Sequence, residues 1–497
     1  MRPPLNFRGF STLALSLAAQ AIGLAEAPLE LGSKRELFVD RYLVGSLAGT
    51  SLQLHEPRDE GEVLHYDRPW EGAFCTYTTI IKDGDRYRLY YRGKDGGADG
   101  KGEVTCYAES SDGVHWTKPA LGLHEIAGSK ENNILLIEPG VTHNFSPFLD
   151  TRPGVPAEER FKALGGLLDN KNPAGGLKAF ASGDGIHWRP LESQPVITKG
   201  AFDSQNVAFW SEAEQCYVCY LRHFTQGATT SAQWKPAGLR SVSRTTSTDF
   251  RHWSDPLPMQ FDPPQDEQIY INQTHAYFRA PHIYLGLAVR FFPGRRGITD
   301  EQAAELKVTP AYYKNAHDVT EPVLLTSRGG ERYDRTFRQA LIRPGLRLQH
   351  WVSRSNYPAL NIVPTGPGEM SCYVNTDYAQ PTANLRRYSW RLDGIASVNA
   401  PYEGGEMLTK PLKFTGSQLL LNFSTAAAGS IRVEVQDAEG QPIPGFALKD
   451  STELLGDTLE RAASWKSIPD LARLAGQPVR LRFVMKEADL YSLRFAP

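Results

Sequence analysis

The chain has no excess of charge of one sign: 54 lysines and arginines face 56 aspartates and glutamates, a formal net charge of −2, with no run of like charge. A nucleic-acid binder normally carries a basic face or stripe, so no nucleic-acid partner is expected. Beyond residue 24 no apolar run approaches the about 20 residues needed to cross a bilayer, which leaves no reason for membrane association in the mature chain. Cysteine is scarce, five in 497 residues, too few for a disulfide framework. Cys75 and Cys106 lie in neighbouring strand-like runs that would allow pairing, whereas Cys216 and Cys219 share one run and point to opposite faces. The spacing supports no zinc site, and small buried hydrophobes is the favoured reading. HxH and HExxH spacings are also missing, His143 and His350 stand alone, and neither a metal nor another cofactor is expected. Nothing in the composition sets an oligomeric state.

What is abundant is turn and aromatic residue: 44 Gly, 34 Pro and 52 Phe, Trp and Tyr, in a chain that is 41 % hydrophobic and 22 % charged. Such a balance describes a globular chain of many short strands. Arg2 and Arg8 precede an apolar run from Phe10 to Leu24, followed by Ala25-Glu26-Ala27. A charged start, a run too short to span and a small-x-small end make a signal peptide over 1–27, with cleavage expected after Ala27 and a secreted or periplasmic product.

A degenerate repeat organises the next 375 residues or so. Ser110-Ser111-Asp112-Gly113-Val114-His115-Trp116 recurs as Ser182-Gly183-Asp184-Gly185-Ile186-His187-Trp188 and as Ser247-Thr248-Asp249-Phe250-Arg251-His252-Trp253, with a worn copy from Ser327 to Tyr333. The terminal aromatics are 72, 65 and 80 residues apart, enough for one four-stranded sheet each. In such a turn the Asp accepts backbone N–H bonds, Gly supplies a positive φ and Trp packs between sheets, so these are scaffold residues. A fifth sheet reads from Trp351 through Met370–Val374 to Tyr388–Gly394. The expected fold is all-β: a five-bladed β-propeller over 28–402, then a β-sandwich over 403–497, where Leu419, Leu421 and Phe423 and later Val479, Leu481 and Phe483 alternate without the repeat. Glu36–Leu43 is expected to complete the last sheet of the ring, and Thr299-Asp300-Glu301-Gln302 to open a short rim helix with a capping box.

This layout resembles the β-fructosidase superfamily, the five-bladed propellers of glycoside hydrolase families 32 and 43, and exported family-32-like bacterial proteins with a Phe-Val-Asp-Arg-Tyr start, here Phe38 to Tyr42. Phe38-Val39-Asp40 resembles the first-strand aspartate of family 32, and Phe148–Pro153, with Asp150, is a loose relative of its Arg-Asp-Pro motif. The Trp-Met-Asn-Asp-Pro-Asn-Gly signature and a Glu-Cys-Pro motif are absent. The resemblance implies cleavage of a polysaccharide or oligosaccharide in the propeller funnel, with carbohydrate as the partner. A non-catalytic carbohydrate-binding propeller, or a sialidase-like or phosphorylase enzyme, is the alternative.

Glycoside hydrolysis uses two carboxyl groups, one protonated and one ionised, flanking the bond. Residues just before the innermost strands converge on one end of a propeller. Among them either Glu369, beside a buried-looking run, or Glu71 is the expected acid, and either Asp203 or Asp40 the expected base or nucleophile. Asp150, Asn144, Asn206 and Asn272 are expected to bind hydroxyl groups, and Trp70 to stack on a sugar ring. Four strand ends carry Arg92, Arg222, Arg290 and Arg354, a set suited to an anionic sugar because guanidinium binds carboxylate or sulfate bidentately.

Overall fold

The computed structural model describes residues 27–94, 102–126, 128–168, 175–230, 232–314, 317–466 and 470–497. Apart from Ala27, the segment 1–27 expected to be a signal peptide lies outside the described residues. Among those described, no helix is long and apolar enough to cross a membrane.

Five antiparallel sheets form a ring. Thr76–Asp83, Arg86–Lys94, Glu103–Ser110 and Ile134–Leu136 make blade one, and Ser146–Leu149, Phe161–Gly165, Lys178–Ser182 and Arg189–Pro190 make blade two. Blade three is Val207–Ser211, Cys216–Thr229, Trp234–Ser247 and Leu257–Pro258. In blade four Thr274–Tyr277 leads, followed by Ala280–Pro293, Asp318–Ser327 and Arg332–Asp334. Blade five runs from Tyr357–Pro358 through Glu369–Thr376 and Asn384–Arg391 to Arg58–His65. The outermost strand of the last blade thus comes from near the N-terminus and closes the ring without a free edge there.

The closing strand is not the one expected. Glu36–Leu37 pairs with Val479–Ala496 in the C-terminal sheet instead. An outer blade strand needs one solvent-facing side, which the charged, largely exposed Arg58–His65 offers. Leu37, Phe38 and Val39, each 1 % exposed, are core residues instead. Leu29–Gly32, Val44–Ala48 and Ser51–Leu54 also join the C-terminal sheet, so the strands of 29–54 belong with the sandwich and not with the propeller.

The repeated turns bind the ring together. Val114 N and His115 N each donate to Asp112 Oδ1 at 2.8 Å, and Gly113 N donates to Ser110 Oγ at 2.9 Å. The same 2.8 Å pairs recur at Asp184 and Asp249. Each turn then docks on the preceding blade: Tyr90 of blade one donates to Gly185 O at 3.0 Å, and Tyr373 of blade five donates to Gly113 O. In blade three Phe250 takes the glycine position at φ 66° and packs against Phe148 of blade two, 5.5 Å between ring centroids.

The tunnel along the axis is plugged at mid-height. Gln205 Nε2 donates to Thr78 O and Thr79 Oγ1 at 3.2 and 3.0 Å, and Gln273 Nε2 donates to Gln205 Oε1 and Pro358 O, both at 2.7 Å. Both glutamines are fully buried, so the plug splits the axis into two separate pockets. The sandwich encloses its own core, in which Phe414 and Phe495 stack at 3.9 Å. It meets the propeller at Asp393, which Arg35 and Arg279 approach to 3.3 and 3.2 Å and to which Tyr277 donates at 2.7 Å. All five cysteines are free, so Cys75 and Cys106 are not paired.

Candidate functional site

The innermost strands all run the same way about the axis, so the residues that precede them gather at one mouth. That mouth is a pocket of about 220 Å³ lined by Tyr77, His143, Asp203, Tyr270 and Tyr357, one from each blade. Second strands return toward this mouth, which brings in Arg92 and Lys94 from the end of Arg86–Lys94. Arg222, near the middle of Cys216–Thr229, reaches the same region. The insertion between the second and third strands of blade four opens with Thr299 as its cap and a capping box closed by Gln302. It carries Tyr312 into the pocket wall.

Three ionisable groups form a chain across the pocket. His143 Nδ1 lies 3.1 Å from Glu103 Oε2, and its Nε2 lies 2.9 Å from Asp203 Oδ1. Both carboxylates are acceptors, so the ring between them donates from both nitrogens and is an imidazolium. Burial opposes a charge on His143, but the hydrogen bonds to Asp203 and Glu103 outweigh it and raise its pKa. Burial also opposes the Glu103 carboxylate, yet the hydrogen bond and charge of His143, the Arg92 charge and the Lys94 hydrogen bond bring its pKa down to about 2. Glu103 is only 4 % exposed and sits behind the imidazole. Asp203 is the group that faces open space, 56 % exposed although the pocket walls surround it. Burial disfavours its charge, but His143, Arg222 and Arg354 hold its pKa far below the ordinary carboxylate range.

Tyr77 at φ 53° and Arg354 at 59° line the pocket, and with Asn356 at 65°, next to Tyr357, they are non-glycine residues in the left-handed region, each unfavourable by about 1–3 kcal/mol. Such strain persists only where surrounding packing over-determines it, and Tyr77 and Asn356 are 5 % and 1 % exposed.

Of the residues picked out from sequence, Asp203, Arg92, Arg222 and Arg354 come together at this pocket. The other expected carboxylates do not. Glu369 opens the second strand of blade five at the end away from this mouth, paired with Arg387 at 2.7 Å and Arg58 at 3.4 Å. Glu71 is fully buried and accepts from Tyr91 OH, Lys118 Nζ and Arg68 N, a sealed structural anchor. Asp40 pairs with Arg328 at 2.8 Å on the N-terminal segment, and Asp150 is buried against Lys162 and Tyr217, both 2.6 Å away. Arg290 is held by Glu321 and Glu267 away from the pocket.

The amides are braces. Asn144 and Asn206 donate to Phe202 O and Ser204 O and so fix the loop that carries Asp203. Asn272 accepts from Thr274 N, and Trp70 donates to Asn133 while packing in blade one. Residues not singled out from sequence complete the site: Glu103, Lys94, Tyr77 and Tyr357. Glu103 was legible only through strand pairing, since Lys94 and Glu103 are register partners in neighbouring antiparallel strands.

A larger pocket, about 340 Å³, opens at the other mouth, among them Trp210, Tyr277 and Ile362. It is the less suited to chemistry. Its histidine, His275, is driven to a pKa of about 4 by burial and spends its ring nitrogens on Gln273 O and Ile362 N. His350 likewise bonds Pro344 O and is held near 4 by burial.

No family model and no curated protein matches the chain. Among solved structures it is similar to a glycoside hydrolase, 13 % identical over 68 % of this chain and 92 % of that one, with a TM-score of 0.44. It is also similar to an N-acetylgalactosamine deacetylase from F. plautii, 14 % identical over 70 % and 97 % at 0.43. A third is a Bombyx mori GH32 beta-fructofuranosidase, 11 % identical over 88 % and 94 % at 0.42.

Proposed function

We propose that the protein is an exported glycoside hydrolase whose reaction takes place in the blade-end pocket, with Asp203 as its ionised carboxylate. The observation that carries this reading is Asp203 itself: a carboxylate kept charged by His143 and two arginines, yet open to the pocket. Glycosidic cleavage passes through an oxocarbenium-like state, which a fixed negative charge stabilises, and the departing oxygen needs a proton. Since Glu369 and Glu71 lie elsewhere, that proton falls to His143, which passes its Nε2–H from Asp203 to the departing oxygen when the substrate takes over that contact, and as a neutral ring recovers a proton from the water that completes hydrolysis, with Glu103 behind it on Nδ1. This replaces the expected pair of carboxyl groups by a carboxylate and an imidazolium. Tyrosine faces around the pocket supply the walls on which a sugar ring packs.

The test is a panel of aryl glycosides and oligosaccharides, neutral, uronic and sulfated, incubated with folded enzyme. At least one member should be cleaved, and kcat should fall as pH rises through the elevated His143 pKa, above the ordinary value near 6.5. A panel returned intact would remove the hydrolase reading. A second reading, a non-catalytic carbohydrate receptor, is favoured by one observation: among the described residues lining the pocket, Asp203 is the sole exposed carboxylate. It predicts binding without turnover.

A further inference from the structure

Positive charge at the pocket exceeds the negative charge available to neutralise it. Arg92 and Lys94 are matched by Glu103, at 3.9 and 2.9 Å. On the other side Arg222, Arg240 and Arg354 crowd around one ring, that of Tyr270, with their guanidinium carbons 5.1, 5.6 and 5.7 Å from its centroid. The nearest carboxylate is Asp203, 3.9 Å from Arg222 and already hydrogen-bonded to His143. Arg222 is buried and Arg240 and Arg354 are half-buried; cations drawn out of water are ordinarily paired, so three guanidinium groups with one shared carboxylate nearby is an unbalanced arrangement.

The hydrogen-bond inventory agrees. Arg354 donates to Tyr312 OH at 3.1 Å and Arg240 to Gln268 Oε1 at 2.8 Å, both neutral acceptors. The Nε atoms of all three arginines, and the hydroxyl of Tyr357, find no protein partner. Tyr357 is 2 % exposed and lines the pocket, so its unmatched hydroxyl points to a ligand.

We propose that the pocket takes an acidic sugar, its oxyanion group held between Arg222 and Arg354 beside Tyr270 and Tyr357, which leaves Asp203 facing the ring. Arg240 stands behind as a positioning residue that adds to the field. The inference deepens the hydrolase reading and rests on it for the sugar, but the anion subsite itself stands on the arginine cluster. Carboxylate and sulfate share the chemistry that the guanidinium fork recognises.

Calorimetric titration of the whole mature protein distinguishes the two sources, with glucuronate, galacturonate and galactose 6-sulfate set against neutral glucose and galactose. One acidic sugar should bind at least about tenfold more tightly than its neutral counterpart, and the arm that gains names the group. Arg354→Gln should erase that preference, and Arg354→Lys should keep part of it, since charge remains without the fork. Melting temperatures confirm folding, with Arg222→Lys as the second probe should Arg354→Gln not fold. Asp203→Asn should bind the acidic sugar more tightly, because a competing negative charge is gone. Equal affinity for acidic and neutral sugars, no binding of either, or a preference that survives Arg354→Gln would overturn the subsite. Acidic preference without any cleavage would leave the subsite standing and remove the hydrolase; cleavage of neutral glycosides without acidic preference would do the reverse.

Discussion

An imidazole flanked by two carboxylates holds its proton more firmly than a free one, and His143 is flanked by Glu103 and Asp203. Its folded pKa lies above the unfolded value, so the pair stabilises the fold fully below about pH 6.5, and that contribution is lost as pH rises through the folded pKa. A nuclear magnetic resonance titration of His143 should therefore show a midpoint above about 6.5, moved down in Asp203→Asn; a midpoint at or below the free value, unmoved by the substitution, would contradict the assigned geometry. Asp203 was legible in the sequence because it sits just before the apolar run Val207–Ser211 with amides beside it. Of those amides, Asn206 holds the loop and Gln205 the plug of the axis. Glu71 and Glu369 were misleading for the opposite reason: a glutamate beside a strand says nothing about whether Lys118 or Arg387 will reach it. Glu103 escaped notice because the partner that gives it a role at the site, His143, is 40 residues away in sequence.

At the scale of the element, the aspartate turn is the unit that repeats and the joint between blades. Burial opposes the charge of Asp184, but its hydrogen bonds from His187, Ile186 and Ser182 depress its pKa. The glycine after it has φ 76°, and a Cβ there would lie 2.7 Å from the Tyr90 hydroxyl. Gly185→Ala should thus be destabilising by at least about 1–2 kcal/mol from the backbone alone. Denaturant melts are the check: a shifted midpoint with unchanged sugar affinity is expected, and an unshifted midpoint would mean the turn is not the joint described. The pattern of Ser, Asp, Gly and Trp made four of the five blades readable, because each residue type has one local reason to be there. The closing strand was not readable in the same way. Arg58–His65 owes its place to pairing with Asn384–Arg391 more than 300 residues away, where Asp59 and Glu62 meet Arg386.

For the molecule as a whole, propeller and sandwich share a buried polar joint. Asp393, with a fully buried side chain, is held by Arg35 from the N-terminal segment, Arg279 from blade four and Ser492 from the sandwich, the last at 2.7 Å. Removing Asp393 leaves Arg35 and Arg279 with Glu460 alone and strips the partner from Tyr277 and Ser492, so Asp393→Ala should destabilise by about 1.5–3 kcal/mol. In calorimetry the wild type should melt as one unit and the variant as two; a variant that melts as the wild type does would show the joint to be unimportant. The sequence pattern showed where the second unit's alternating strands lie but not that residues 29–54 complete it, since that depends on long-range pairings with Leu412–Phe414, Gly405–Thr409, Ala396–Ala400 and Val479–Ala496.

The rate comparison between wild type and Asp203→Asn on the best-cleaved glycoside tests the central claim most directly. With the fold retained and sugar affinity undiminished, kcat should fall by about 10²–10⁴-fold, the range for a positioned group that acts on the transition state. An unchanged kcat would contradict the account, because it would show that bond cleavage does not depend on the carboxylate around which the site is built.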